Sequence, residues 1–305
     1  MTDRAILIAG TTASGKSALA VALAERGGGV VINADSMQVY RELSILTARP
    51  SPEEEARVPH ALYGFVPAHE AYSAGRYMAD AARAIAAARA AGQVPVVVGG
   101  TGLYFKALLE GLSPIPEVPE VIRAGWRAEA RRLGAAALHR LLADRDPRMA
   151  ARLRPTDPQR IVRALEVLDA TGQSLADWQQ IPGQPLLKAE TAIRIVVSPD
   201  RTELYRRCDA RFDAMLERGA LREVAALRAM ALDPKLPAMT ALGVAPLLAH
   251  LAGDLALDAA ATQAKADTRR YAKRQMTWLR RNMIAWKWLG AQETECCKRG
   301  GFPFI

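Results

Sequence analysis

The sequence predicts an α/β fold, in which a parallel β-sheet is covered by helices on both faces and carries a mostly helical insertion. Short apolar runs alternate with helix-like segments over about the first hundred residues, a pattern typical of parallel sheets. A glycine-rich loop follows the first of these runs. From about 115 to 185 the pattern is helical and rich in arginine, and a strand-like run at 192–197 then returns the chain to the sheet.

The first element is a predicted strand over 5–9, followed by a phosphate-binding loop (P-loop) and a helix over 18–24. The loop reads GTTASGKS, a complete G-x-x-x-x-G-K-S motif. Its backbone N–H groups and the helix N-terminus attract phosphate, Lys16 adds a cation, and the Ser17 hydroxyl is placed to bind Mg²⁺. The motif predicts a P-loop NTPase-like core that binds a di- or triphosphate, without specifying which. The predicted phosphate-binding residues are Gly10, Thr11, Thr12, Ala13, Ser14, Gly15, Lys16 and Ser17.

The second predicted strand, 30–33, is followed by Asp35. A carboxylate at the end of a strand, facing a phosphate loop, has two usual roles. It holds Mg²⁺ through water, or it accepts a proton from a nucleophile. The alternative is a structural role, in which Asp35 caps the N-terminus of a following helix.

The third predicted strand, 95–98, is followed by the glycine-rich run 99–102 and a helix over 103–109. Glycines let the backbone approach a ligand closely, and the Thr101 hydroxyl can donate to a phosphate oxygen. The alternative is a tight turn in which Thr101 caps the helix. Because ligands of parallel sheets lie at the carboxyl ends of the strands, we expect the P-loop, Asp35 and Thr101 to converge on one crevice.

The remaining segments complete the predicted organisation. Prolines at 114, 116 and 119 mark the start of the insertion, and helix-period apolar residues recur over 204–218, 221–230 and 258–288. The last residues combine paired glycines, two cysteines and a proline, so we expect a poorly ordered tail. The predicted domains are a core formed by 1–114 and 186–290, an insertion at 115–185, and a tail at 291–305.

The charge balance favours an acidic partner. The 305 residues carry a formal net charge of +9. Arginines cluster in the insertion between 148 and 163, and a second basic segment, 268–281, interleaves arginines with Tyr271 and Trp278. This pattern suits phosphate contacts and base stacking, although each cluster alone could be a solvated helix face.

Other features exclude several classes of protein. Three cysteines and four histidines lack zinc-type spacing, so we expect reduced thiols and no protein-bound zinc. No apolar stretch is long enough to span a bilayer, and the N-terminal residues do not have the layout of a signal peptide. We therefore expect a soluble, cytoplasmic protein without a membrane partner.

Several segments together resemble the tRNA dimethylallyltransferases. The matching segments, in chain order, are GTTASGKS at 10–17, DSMQVYR at 35–41, TARPS at 47–51, AYSA at 71–74, VVGGTGLYFKAL at 97–108, QRIVRALEV at 159–167 and RRYAKRQMTWLRR at 269–281. The sequence departs from the family pattern at Thr11, where proline is usual, and at Val244, which stands in place of a tyrosine. The cysteine-containing tail has no assigned counterpart.

The resemblance implies a reaction and its residues. A dimethylallyl group would move from dimethylallyl diphosphate to N6 of adenosine 37, in tRNAs that read codons beginning with U. Asp35, Thr101 and Lys16 would be catalytic, the P-loop would hold the diphosphate, and Mg²⁺ would be bound by Ser17 together with water and diphosphate oxygens. The insertion would grip the anticodon stem-loop of tRNA, and a monomer is expected. The implied tRNA-binding residues are Asp35, Ser36, Met37, Gln38, Thr101, Arg123, Gln159, Arg160, Ile161, Val162, Arg163, Lys273, Arg274, Gln275, Trp278 and Arg280.

Two other classes of function stay open at this stage. A small-molecule or nucleotide kinase would share the P-loop and the sheet, but it would need neither two basic clusters nor a large helical insertion. An RNA-binding regulator with a vestigial phosphate site would have no reason to retain Lys16, Ser17, Asp35 and Thr101. Hydrolysis of ATP without tRNA would favour the kinase.

Overall fold

The computed structural model describes residues 4–300 and contains a six-stranded, fully parallel sheet. Its strand order is β3-β2-β4-β1-β5-β6. The strands are β1 (Ala5–Gly10), β2 (Gly29–Asn33), β3 (His60–Ala61), β4 (Val94–Gly99), β5 (Ala192–Val197) and β6 (Lys287–Leu289). The predicted α/β class and the four longer strands are confirmed. The two short edge strands, β3 and β6, carry too few residues to show a sequence period, and the sequence analysis missed them.

The chain divides into two compact units. One combines Met1–Leu109 with Leu186–Ile305, and the other is Glu110–Pro185, which begins slightly before the start proposed at 115. The helices of the first unit are α1 (Lys16–Gly27), α2 (Pro52–Arg57), α3 (Ala74–Ala90), α4 (Gly102–Glu110), α10 (Arg201–Glu217), α11 (Ala220–Ala229), α12 (Val244–Ala252), α13 (Leu257–Asn282) and α14 (Ala291–Lys298), with a 3₁₀ turn at Pro237–Thr240. The second unit contains α5 (Glu120–Leu133), α6 (Ala135–Arg145), α7 (Pro147–Ala150), α8 (Pro158–Thr171) and α9 (Leu175–Trp178).

Each face of the sheet packs against its own layer of helices. Alternate strand residues such as Leu7 and Val97 meet α3, α4 and the end of α13 on one face. Ile8, Val96 and their neighbours meet α1 and α14 on the other. Strands that are buried on both faces explain the continuous apolar runs of the sequence. The second unit has its own apolar core, built from α5–α9 and the segment before them.

The helix predicted over 258–288 is shorter in the structure. It ends at Asn282, and Met283 takes non-helical angles (φ −123°, ψ 41°). The following residues form β6, and the Trp286 ring packs edge-on against Phe105, with ring centroids 5.6 Å apart. An apolar run of this length does not distinguish a buried helix from a strand, so periodicity overextended the helix.

The expected disorder of the tail is wrong for the residues that form α14. Thr294 and Cys297 of this helix are buried, and Arg26 at the end of α1 donates to the Cys297 carbonyl. Burial against α1 supplies the order that the composition of the tail did not reveal. Residues 301–305, the rest of the predicted tail, lie outside the described residues. Within 4–300, the helices are too short or too polar to cross a membrane.

Candidate active site

The P-loop joins β1 to α1 and forms an open cradle. Gly15 precedes the helix with φ 91°, a left-handed conformation that glycine adopts without strain. Within the described chain, no side chain caps α1, and its first turn carries no acidic residue. The Thr11 and Ser14 hydroxyls are buried without a hydrogen-bond partner among the described residues. A helix start with these free polar groups suits a phosphate anion.

Lys16 points back over the loop. Its Nζ donates to the Thr11 carbonyl at 3.1 Å. Burial lowers the pKa of Lys16 to about 8, the Asp35 carboxylate opposes this shift, and the nearby Arg211 guanidinium adds to it. A partly buried cation with a lowered pKa has a strong reason to bind an anion, because the anion restores the charged form.

Asp35 lies just beyond β2, and its neighbours hold it by short-range hydrogen bonds. Asn33 accepts from the Asp35 backbone N–H at 2.8 Å, and Asp35 Oδ1 accepts from the Met37 N–H at 3.0 Å. Bends and turns follow Asp35, not a helix, so the helix-cap alternative is wrong. The carboxylate is partly exposed and lines a cavity.

Thr101 connects the end of β4 to the loop that follows β2. Its Oγ1 accepts from the Ser36 N–H at 2.9 Å and donates to Ser36 Oγ at 3.3 Å. It immediately precedes α4, but these two hydrogen bonds are made to the loop after β2 and do not cap that helix. The hydroxyl therefore fixes the Asp35–Ser36 segment beside the glycine-rich loop.

Gln275 links this glycine-rich loop to the P-loop. Its side chain is 7% exposed. Oε1 accepts from the Thr12 N–H at 2.9 Å, and Nε2 donates to the Gly100 carbonyl at 2.9 Å. One turn later, the Trp278 ring packs on Gly102, where a Cβ would collide with it. The predicted convergence of P-loop, Asp35 and Thr101 is confirmed, through a residue that the sequence analysis had placed at the tRNA surface.

A cavity of about 310 Å³ opens beside these loops. Its polar lining includes Thr12, Asp35 and Arg211, and Arg211 Nη2 donates to Thr12 Oγ1. Burial lowers the pKa of Arg211, and the Asp35 carboxylate partly opposes this effect. The apolar wall is formed by Met37, Leu46, Phe212, Met215, Ala241 and Leu242. Sequence analysis missed Arg211 and every residue of this wall except Met37, because no local motif marks residues that α10 and the loops bring together.

One side chain that was predicted to bind tRNA, Gln38, makes its hydrogen bonds inside its own unit. Gln38 Nε2 donates to the Thr47 and Ala48 carbonyls at 2.9 and 2.7 Å. The Val244 side chain, at the family's tyrosine position, is fully buried at the start of α12. Ser36 and Met37 contribute to the cavity lining.

The outer face of α13 carries the remaining basic residues. Lys273, Arg274 and Arg280 are exposed. The Arg274 guanidinium lies over the Tyr271 ring, 5.6 Å from its centroid, and both residues reach the lining of the cavity. Burial, and then the Asp35 carboxylate, raise the pKa of Tyr271, so its hydroxyl stays protonated at neutral pH.

The predicted contacts on α8 divide between surface and core. Gln159 and Arg160 are exposed, Val162 and Arg163 are partly exposed, and Ile161 is fully buried in the core of its unit. Arg160 and Arg163 each lie 3.4 Å from a carboxylate of the same helix or its cap. Arg123, on α5, is partly exposed. The Ile161 side chain therefore stabilises the unit and is unavailable to a ligand.

The residues present fit a magnesium ion that is held mainly by its phosphate ligand. Ser17 is exposed in the first turn of α1, directly after the phosphate cradle. No group of three or more His, Cys, Asp or Glu side chains within 4–300 is arranged to hold a metal. Magnesium commonly keeps several waters and binds through substrate phosphates with one or two protein ligands.

Sequence comparisons relate this chain to transferases. A family model described as IPP transferase matches residues 38–282, and one described as isopentenyl transferase matches 3–60. A tRNA dimethylallyltransferase from Parvibaculum lavamentivorans is 58% identical over 99% of this chain and 96% of its own length. The corresponding protein of Nitrobacter hamburgensis is 56% identical over 95% of this chain and 92% of its own.

Solved structures show the same relationship. The full-length tRNA isopentenylpyrophosphate transferase from Bacillus halodurans is 33% identical, covering 94% of this chain and 90% of its own, with a TM-score of 0.67. A eukaryotic dimethylallyltransferase, described as acting on tRNA, is 29% identical over 94% of this chain and 74% of its own, with a TM-score of 0.81.

Proposed function

Since the chain belongs to the IPP transferase family, we propose that it is a tRNA dimethylallyltransferase. Its donor would be dimethylallyl diphosphate, and its acceptor N6 of adenosine 37 in tRNAs that read codons beginning with U. The names of the relatives support the transferase activity and the tRNA substrate. The site geometry supports the donor and the residue roles.

The observation that carries the proposal is a cavity whose lining combines charged and polar side chains with an apolar wall. Thr12 of the P-loop, Arg211 and Asp35 meet Leu46, Phe212, Met215 and Leu242 in one space. A prenyl diphosphate has the same division into a charged head and a short branched hydrocarbon.

The chemical step follows from this placement. The bond between C1 of the dimethylallyl group and the diphosphate oxygen breaks, and the diphosphate leaves with the electron pair. A new bond forms between C1 and adenine N6, whose lone pair is a weak nucleophile because it is delocalised into the ring. Asp35 accepts the proton that N6 releases, which leaves a neutral secondary amine.

The P-loop side stabilises the leaving group. Lys16, Arg211 and the free N–H groups at the start of α1 surround the cradle, so charge that develops on the diphosphate meets preorganised donors. Mg²⁺, bound by Ser17 with water and diphosphate oxygens, would neutralise part of the same charge. Thr101 keeps the Asp35 segment in place through Ser36.

The acceptor approaches from a basic surface. Lys273, Arg274 and Arg280 are exposed on α13, and Arg274 reaches the cavity lining that contains Asp35. Gln159, Arg160 and Arg163 offer a second polar surface on α8, and Arg123 a further cation on α5. An adenine in a single-stranded loop can leave its stack at low cost and enter the cavity. The tRNA anticodon loop is single-stranded in this sense. Because the proposed substrate is tRNA, we also propose that the protein is cytoplasmic.

The decisive experiment incubates the protein with unmodified tRNA, dimethylallyl diphosphate and Mg²⁺, without ATP, and analyses the nucleosides by mass spectrometry. We expect N6-dimethylallyladenosine at position 37 and release of diphosphate. A matched tRNA with guanosine at position 37 is the control and should remain unmodified. No product with the wild-type protein would overturn the proposal. ATP hydrolysis at a rate comparable to prenyl transfer would favour the alternative function, a small-molecule or nucleotide kinase.

A further inference from the structure

We infer that Gln275 is a positioning residue. It fixes the distance between the P-loop, which holds the diphosphate, and the Asp35 carboxylate, which accepts the proton, and it does not bind tRNA. The inference rests on the proposed function and assigns a role to a side chain inside that site. Its basis is a pair of hydrogen bonds that join the two loops.

Gln275 uses both ends of its amide. Oε1 receives the Thr12 N–H of the P-loop, and Nε2 donates to the Gly100 carbonyl, each at 2.9 Å. The side chain is 7% exposed, so a broken bond would leave a buried polar group without a partner. These two partners lie 263 and 175 residues away in sequence, which is why the α13 motif alone did not show them.

Gly100 lies between Gln275 and Asp35. A Cβ at this position would collide with Gln275 Nε2 and would lie 3.3 Å from Asp35 Oδ2. A side chain at position 100 would therefore displace the Gln275 amide from its place between the two loops. The next residue, Thr101, binds the Ser36 N–H through its Oγ1. A continuous series of contacts thus runs from Thr12 through Gln275 and Gly100 to the loop that carries Asp35.

The rest of α13 holds Gln275 rigidly. One turn further along, the Trp278 ring packs on Gly102 of the same glycine-rich loop. Leu279 is buried in the sheet-facing core, and Ala272 is buried beside α10. The neighbouring Lys273 and Arg274 are exposed. The segment 269–281 of α13 thus has an inner face, which sets the geometry of the site, and an outer face, which is open to a ligand.

The amide chemistry is specific, because one end accepts and the other donates. Methionine has nearly the same shape and makes neither bond. In Q275E the carboxylate still accepts from the Thr12 N–H, but its second oxygen faces the Gly100 carbonyl. When that carboxyl is protonated it donates to Gly100, so the geometry is restored. Burial and the facing carbonyl raise the pKa of the introduced group, which brings this change into the accessible range.

The test compares Q275M, Q275E and Lys273→Gln with the wild-type protein. Prenyl transfer at saturating tRNA gives kcat, filter binding gives tRNA affinity, and thermal unfolding gives the folded fraction. We expect Q275M to lower kcat on the order of 10- to 100-fold, since small displacements of reacting groups are costly, with tRNA affinity within about twofold. Lys273→Gln removes an exposed cation of the same helix and should weaken tRNA binding, which makes it the positive control for the affinity measurement.

Q275E provides the second readout. Its activity relative to wild type at the same pH should rise as the pH falls from about 8 to about 6, whereas the ratio for Q275M stays flat. Weakened tRNA binding by Q275M at unchanged kcat would overturn the inference and restore Gln275 to the tRNA surface. Loss of thermal stability at unchanged kcat would also overturn it. Failure of the wild-type protein to transfer would overturn the proposed function instead.

Discussion

Two helices with similar arginine-rich segments, α8 of the insertion and α13 of the core, use their buried faces differently. On α8, Ile161 turns into the core of its own unit, and Gln159 and Arg160 remain outside. On α13, the buried Gln275 reaches two catalytic loops, and Lys273 and Arg274 remain outside. A basic stretch of sequence therefore says little about function until its residues are divided by helix face.

The comparison separates two kinds of effect. Inner residues of the α13 region should change the rate of transfer, because they determine the positions of reacting groups. Outer residues of both helices should change tRNA affinity, because they face solvent and carry charge. The predictions below test this separation from its largest expected effect to its smallest.

Replacing the crevice carboxylate should give the largest loss of rate. Asp35→Asn keeps the size and an oxygen to accept the Met37 N–H, but it removes the proton acceptor. We expect kcat to fall on the order of 10² to 10⁴-fold with tRNA affinity within a few-fold, measured by single-turnover transfer and filter binding. Asp157→Asn, at the α8 N-cap, is a matched control that should leave kcat intact. A near-normal single-turnover rate for Asp35→Asn would remove Asp35 as the general base.

The exposed face of α8 should give the converse result. Changing both Arg160 and Arg163 to glutamine removes two cations whose intramolecular ion pairs are long, at 3.4 Å. We expect tRNA affinity to fall roughly tenfold or more, and the slope of log K against log salt to become shallower by about one to two units. The rate at saturating tRNA should be unchanged. An unaltered salt slope would exclude this pair from the tRNA interface.

The sequence predicted the fold well and the site in part, for physical reasons that differ. Strands such as β1 and β4 are buried on both faces, so their apolar runs are visible locally. The P-loop and Thr101 are visible because a tight phosphate turn needs particular residues at fixed spacing. Arg211 was not recognisable as a site residue, and Gln275 was assigned to the tRNA surface instead of the loop contacts, because each contacts Thr12 across about two hundred residues or more.

The pH dependence of donor binding should report on Lys16. Its lowered pKa, about 8, means that the free site carries this charge below that pH and loses it above. The KM for dimethylallyl diphosphate should therefore be constant below about pH 8 and rise by up to about tenfold per unit above it. Lys16→Arg is the control, since arginine stays charged and should flatten the rise whatever its overall activity. An identical rise in both proteins would assign the titration to another group.

The smallest expected effect concerns the apolar wall, where a core residue and a cavity residue can be compared directly. Met215 lines the cavity, whereas Leu227 is buried in the same apolar cluster without reaching it. Truncating either to alanine should cost about 2–5 kcal/mol of stability, so unfolding measurements should not distinguish them. Only Met215→Ala enlarges the donor space. We expect it to raise the relative use of geranyl diphosphate over dimethylallyl diphosphate by about tenfold or less, since apolar pockets discriminate weakly per carbon. Equal donor preference in the two variants, measured in competition by mass spectrometry, would mean that the hydrocarbon of the donor does not lie against Met215.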